Sequence, residues 1–367
     1  MGSNTILRVG LIGCGEVAQV IHIPALGFLS DYFQITYFCD VSKQALEHCK
    51  SKVTRGTVLI TTDPKDLCAS PDVDVVFVIN SDEYHADHAI LALQHNKFVF
   101  VEKPLALNVR DIERIKSAES ASSGKLMVGY MRRYAAAFVD GVREIGGMDK
   151  ILYARVRDII GPNSAFVSQS GTFPKKFTDY SPEDTEDKNA RATQGVKQGV
   201  ESECGVPVTN SSTGMWRILN GLGSHDLSAM REALGMPTRV IGAHLGYPFW
   251  NVLFQYPGFA VSYESGMDSV PRFDAHIEIY SQTKSVRIQY DSGYVKGLPT
   301  TLHICEKDGE GYRETTIRRT YEDPYTLQLK SLYGWVVHGV PIKTTAEDAE
   351  QDYKIFQLIM EAGASSA

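Results

Sequence analysis

Leu7-Arg-Val-Gly-Leu-Ile-Gly-Cys-Gly-Glu-Val-Ala18 reads as a short apolar strand running directly into Gly-x-Gly-x-x-Ala. Glycines also mark ordinary strand-to-helix turns, so it is the position of the motif, closing a strand and opening a helix, that gives it weight. Gly13 permits a tight turn, Gly15 lets backbone N–H groups approach a pyrophosphate, and Ala18 keeps the following helix close to the sheet. Glu16 and Val17 complete the first helical turn, whose free N–H groups face the phosphates.

Outward from that turn, short apolar runs alternate with amphipathic stretches as far as about Val128: FQITYFCD, VLITT, VDVVFVIN, KFVFVEK and KLMVGYM. This is a βαβ series, which predicts a parallel sheet with right-handed crossovers and ligands at the carboxyl ends of its strands. We therefore expect a Rossmann dinucleotide-binding domain over residues 1–130. From Lys150 onward the signals are β-like, in ILYARVRDII, TRVIGAHLGY, NVLFQYPGFAVSYES, AHIEIYSQ, SVRIQYDS and TTLHIC. They predict an α+β domain over residues 131–367 built on a large, mostly antiparallel sheet, with one face on helices and an apolar outer face free to meet a second subunit. The overall class is thus α/β plus α+β. Between the β-like runs, residues 161–213 are polar and aperiodic, which fits either a disordered surface insertion or a lid.

The second strand ends in Asp40, 25 positions beyond Gly15, where an acid receives ribose hydroxyls. That favours NAD, and Lys43 nearby keeps NADP open; a solvated acid capping the next helix is the plainer alternative. The fourth strand ends at Asn80 and Ser81, placed to meet the nicotinamide end of a cofactor, and His85 follows in the same group of cofactor-binding candidates. His85 and His88 are three apart on one helix, but no third ligand is evident, so no metal site is read there.

Phe98-Val-Phe-Val-Glu-Lys-Pro-Leu-Ala106 carries a charge pair to the same carboxyl edge. Placing Glu102 and Lys103 there costs desolvation that an ordinary turn avoids. A lysine beside a cofactor could exchange a proton with a substrate hydroxyl, although a strand-end ion pair explains the residues nearly as well. Pro104 fixes the turn.

Taken together, GLIGCGEVA, INSDEYHADHAILALQHNKFVFVEKPLA and VGYMRRY resemble the Gfo/Idh/MocA family of NAD(P)-dependent oxidoreductases, whose hallmark is Glu-Lys-Pro. The resemblance is specific through residue 134, looser beyond, and does not include the 161–213 segment. It implies that Lys103 lies near the nicotinamide and contacts substrate, with Glu102 beside it in the cofactor site. It also implies that His225, in Gly221-Leu-Gly-Ser-His225, matches the histidine of an Asp-x-Gly-x-His motif and binds the substrate hydroxyl or acts as general acid/base. The aspartate is missing: Gly221 stands in its place, with Asn220 before it and Asp226 after the histidine. Tyr130 and Arg133 match the segment after the sixth strand and are candidate substrate contacts, as are Trp216 and Arg217. The implied reaction is hydride transfer between nicotinamide and a carbon held between Lys103 and His225, on a sugar, polyol or related hydroxylated metabolite. A redox-cycling member with tightly bound NAD, catalysing elimination or glycoside cleavage, and a non-catalytic cofactor-binding sensor are the alternatives.

The 367 residues, 22% of them charged, carry a net charge of −7, which argues against a nucleic-acid partner. Apolar runs are too short for a membrane span, and no leader pattern opens the chain. The six cysteines are scattered without Cys-x-x-Cys, so reduced thiols, a cytoplasmic setting and a homodimer or higher homo-oligomer are expected.

Overall fold

The computed structural model describes residues 5–366. Strands β1 (Leu7–Ile12), β2 (Phe33–Cys39), β3 (Leu59–Thr61), β4 (Val75–Val78), β5 (Phe98–Glu102) and β6 (Leu126–Gly129) form one sheet in the order β3-β2-β1-β4-β5-β6, every pair parallel. All four residues of β4 and of β6 are buried, as strands covered on both faces require. Chain order reverses between β1 and β4, which puts a crevice at their carboxyl ends.

The remaining strands are β7 (Tyr153–Ile160), β8 (Arg239–His244), β9 (Phe249–Tyr256), β10 (Phe259–Met267), β11 (Phe273–Tyr280), β12 (Lys284–Tyr290), β13 (Thr301–Asp308) and β14 (Gly311–Ile317). They form a second sheet in the order β14-β13-β12-β11-β7-β10-β9-β8, antiparallel except where β7 runs parallel to β10. Alternation sets its faces: Ala154, Val156, Asp158 and Ile160 of β7 are buried, while Tyr153, Arg155, Arg157 and Ile159 are only partly so. The outer face differs from the apolar one expected. Its middle holds charge pairs, Arg155 Nε to Glu264 at 3.2 Å and Arg157 to Glu264 and Asp274 at 2.5 and 3.2 Å, and exposed apolar side chains gather at the β8–β9 edge as Ile241, Phe249 and Leu253. Cross-strand ion pairs substitute there for packing.

The chain divides into two compact units. The first takes in the chain to Gly129 together with Gly171–Gly199 and Leu329–Gln351; the second holds Tyr130–Ser170, Val200–Gln328 and the segment from Asp352. Two later segments thus return to the first sheet. Trp335 meets Phe98 edge-on at 5.3 Å, Tyr333 packs on Tyr32 and Phe33, and Val128 N–H donates to Thr344 O at 2.8 Å.

The aperiodic segment contains helices Pro182–Lys197 and Asn210–Ile218. Only Ala192, Gly195 and Val196 of the first are buried, so its apolar face is too narrow to show as a period in sequence. Among the described residues, no helix is long and apolar enough to cross a membrane. All six cysteines are free thiols, five of them buried.

Candidate functional site

At the end of β1 the chain turns at Gly13 with φ +112°, and a Cβ there would lie 2.7 Å from Asn80 N and Cα. Only glycine allows β1 and the segment after β4 to approach this closely. Gly15 is different: a Cβ built on it meets no protein atom within 4 Å. Its missing side chain leaves space on the cleft side, where the helix that follows also presents its unpaired N–H groups. Ala18 is fully buried behind the turn.

Gly13, Gly15, Glu16, Val17, Asp40, Asn80 and Ser81 line one cleft of about 690 Å³. Asp40 accepts from Cys14 N–H at 2.7 Å and from Ser42 N–H at 2.9 Å, locking the end of β2 to the glycine turn. Burial pushes its carboxyl up, the two N–H donors hold it down, and Asp179 pushes it further up. The opposite wall was not legible in the sequence. Tyr84 and His88 lie on it, with Tyr180, Asp184, Asp187, Lys188 and Asn189 from the 171–199 segment.

That segment is fastened at several points. Gln19 donates to Lys175 O at 3.0 Å and accepts from Lys175 N–H at 2.8 Å. Lys52 Nζ donates to Thr172 O at 2.6 Å. Tyr84 OH donates to Asp187 at 2.8 Å, and Arg191 pairs with Asp87 at 2.6 Å while its guanidinium lies over the Tyr84 ring. A capping box starts its helix, with Ser181 Oγ accepting from Asp184 N–H and the Asp184 carboxylate accepting from Ser181 N–H. Ser-Pro-Glu-Asp at 181–184 is the one sequence signal that could have revealed it. Residues 171–199 are thus an ordered strap on the cofactor unit, which counts against a disordered insertion there.

His88 Nδ1 accepts from the Asn80 amide at 3.1 Å, and its ring stacks on Tyr84. Burial pushes its pKa down to about 4, helped by His85 and Arg191. His85 spans two carbonyls, Nδ1 to Pro104 O at 2.6 Å and Nε2 to Asn80 O at 3.2 Å, and so ties the turn after β5 to the end of β4. Glu102 turns inward: Oε1 meets His22 Nε2 at 2.9 Å, and Oε2 accepts from Lys103 N–H at 3.1 Å. His22 is fully buried between Phe77 and Phe100; 80 positions from Glu102, it was invisible as a partner. Lys103 is partly buried and its peptide bond to Pro104 is cis.

The other candidates belong to the second unit. His225 is half-buried at the start of helix Ser224–Leu234, just after a π-helical turn over Leu219–Gly223. Tyr130 is buried, and Arg133 pairs with Glu232 at 2.5 Å under that ring. Trp216 is buried edge-on against Tyr353 and Phe356, while Arg217 is exposed. Next to His225, Asp226 shares the buried Arg132 with Asp158. Burial pushes the Asp226 carboxyl well above the usual range despite Arg132, and Asp158 adds to the shift.

Strand order, glycine turn and a strand-end acid on the cleft define the first unit as a dinucleotide-binding Rossmann domain. More narrowly, residues 7–130 match the family model described as "Oxidoreductase family, NAD-binding Rossmann fold". Inositol 2-dehydrogenase 3 of Saccharopolyspora erythraea is 38% identical over 135 residues, 36% of this chain and 38% of that enzyme. Myo-inositol 2-dehydrogenase of Thermotoga maritima is 33% identical over 133 residues, 36% and 38% of the two chains. The match thus spans under two-fifths of these relatives' length. Among solved structures, levoglucosan dehydrogenase in complex with NADH and levoglucosan has a TM-score of 0.75 at 16% identity, over 99% of this chain and 98% of that one. A variant of KijD10, a 3-ketoreductase from Actinomadura kijaniata, in complex with TDP-benzene and NADP, has a TM-score of 0.69 at 16% identity, over 97% of both chains. At that identity the likeness is one of fold.

Proposed function

We propose that this chain is an NAD(P)-dependent oxidoreductase that transfers a hydride between nicotinamide and a hydroxyl-bearing carbon of a sugar, polyol or related metabolite. The observation that carries the reading is Glu102-Lys103-Pro104, which closes β5 at the same carboxyl edge of the parallel sheet where β1 ends in the Gly13–Gly15 turn. The names of the two inositol 2-dehydrogenases support a polyol hydroxyl as the group acted on.

Bound in the cleft, the nicotinamide supplies the hydride acceptor or donor. Lys103 holds the substrate hydroxyl and takes its proton as the C–H bond breaks, or returns it in the reverse direction. Glu102, satisfied by His22 and by Lys103 N–H, fixes the backbone that carries the lysine. His225 binds a substrate hydroxyl or serves as the second acid/base. The free cysteines and the apolar β8–β9 edge support a cytoplasmic homodimer or higher homo-oligomer.

The test incubates the full chain with NAD or NADP and a panel of inositols, sugars and polyols, following reduced nicotinamide. Turnover on at least one polyol is expected, with Lys103→Ala lowering it at least about a hundredfold while the cofactor still raises the melting temperature. Undiminished turnover in Lys103→Ala would remove the lysine from the mechanism.

A further inference from the structure

Beside the cleft, the strap also meets the chain just beyond the β2 acid. Asp179 accepts hydrogen bonds from Ser42 Oγ and from Gln44 N–H, the latter at 3.0 Å. Both donors lie in the first turn of helix Lys43–Ser51, immediately beyond Asp40, and Ser42 is its buried N-cap. These hydrogen bonds hold the Asp179 carboxyl below its ordinary range, so it is ionised at neutral pH. Independently, Asp179 pushes the Asp40 carboxyl up, which places two acids within electrostatic reach at the end of β2.

A 2′-phosphate differs from a 2′-hydroxyl by about two negative charges and needs donors or cations just beyond the β2 acid. Here those donors already serve a carboxylate. The cleft offers little compensation: Glu16, Asp40, Asp82, Asp184 and Asp187 line it against Lys188 alone among the lysines and arginines, and Lys43, between the two donors, is solvent-exposed and outside the lining. A neutral 2′-hydroxyl has no such quarrel with the wall, and Asp40 remains at the β2 end to receive it.

We infer that Asp179, carried in from the 171–199 strap, is a specificity-determining residue that makes the cleft selective for NAD over NADP by occupying the donors a 2′-phosphate requires. The inference rests on the dinucleotide reading of the cleft and is independent of which substrate is oxidised. Because the acid comes from a later stretch of chain that folds back onto the Gly-x-Gly unit, selectivity is set in part where a motif search of the first 130 residues does not look.

The experiment is calorimetric titration of the full chain with NAD and, separately, NADP, without substrate, for the natural sequence, Asp179→Asn and Asp179→Arg. The natural chain should bind NAD at least about tenfold more tightly than NADP, the scale of one screened like-charge contact. Asp179→Asn should narrow that ratio about tenfold, chiefly by tightening NADP, and Asp179→Arg should narrow it further. The melting temperature without ligand checks that each variant has folded. Equal affinity of the natural chain for the two cofactors overturns the inference, as does a ratio unmoved by both substitutions. If neither dinucleotide binds, the inference falls together with the cofactor reading. If the ratio moves while no polyol is ever oxidised, the inference stands and the proposed activity falls.

Discussion

His88 is a neutral imidazole built into the cofactor cleft, and acid should unfold the protein partly through it. Its Nδ1 accepts from the Asn80 amide and so has no proton of its own; a second proton would have to displace that donor in a partly covered site beside Arg191. With the folded pKa near 4 against 6.5 unfolded, both states are neutral above about pH 6.5 and the ring contributes no pH dependence there. As pH falls from 6.5 towards 4 the unfolded chain takes up a proton that the folded chain refuses, so stability declines through that window and the penalty levels off below it. The 2.5-unit difference gives about 2 kcal/mol lost by about pH 5, and the ring's partial exposure brings the expected loss to about 1–2 kcal/mol. His88→Gln keeps an acceptor for Asn80 and removes the titration. Urea unfolding at about pH 7.5 and about pH 5 should show a loss in the natural chain that exceeds the loss in the variant by that amount. Ring-proton NMR, assigned by the resonance missing from the variant, should show His88 uncharged down to about pH 4. Parallel pH dependence in the two proteins, or a titration midpoint near the ordinary histidine value, would refute the account.

The two glycines of the turn should fail in different ways. Gly13→Ala puts a Cβ 2.7 Å from Asn80 backbone at a φ of +112°, and a loss of about 2 kcal/mol or more is expected in thermal or urea unfolding even without ligand. Gly15→Ala adds a methyl where no protein atom lies; its melting temperature should hold without ligand, while the rise produced by NAD shrinks or disappears. In the second unit, Arg132→Met leaves the buried Asp158 and Asp226 without their shared cation, and about 3–5 kcal/mol of stability should be lost, read by urea unfolding. A loss below about 1 kcal/mol would show that the two acids tolerate burial by another route.

Much of the first unit could be read from the chain because each parallel strand is an apolar run, and several end in a residue with a chemical reason to be at the carboxyl edge: Gly13, Asp40, Asn80, Lys103. The second sheet was legible where alternation faces a core, as in β7 and β12, and illegible at β14, whose residues are exposed except Ile317. The strap escaped for a related reason. Helix Pro182–Lys197 lies on a polar surface, fastened by Arg191, Asp187 and backbone carbonyls rather than by an apolar stripe, so its placement depends on partners around 100 positions away. Part of the cleft wall went unseen with it. The Glu102–His22 pair was hidden in the same way, since the sequence shows the buried acid and says nothing of which element meets it.

The substitution of Gly221 for the expected acid can now be followed one step further within its own unit. A side chain at 221 would meet no other protein atom within 4 Å of its Cβ, so crowding does not explain the glycine. Asn220, on one side, is committed: its carbonyl accepts from Tyr353 OH at 2.8 Å and its amide donates to Trp216 O at 2.9 Å. Asp226, beyond the histidine, is buried on Arg132 and shares that cation with Asp158. Neither neighbour is placed to stand in for the missing carboxylate, because freeing Asn220 would strand a buried tyrosine hydroxyl and moving Asp226 would strand a buried arginine. Of the groups flanking this turn, His225 is half-buried at the start of helix Ser224–Leu234. The helix therefore has room for a side chain at position 221 that it does not use, and any polar group the proposed reaction requires at this turn falls to the imidazole at 225.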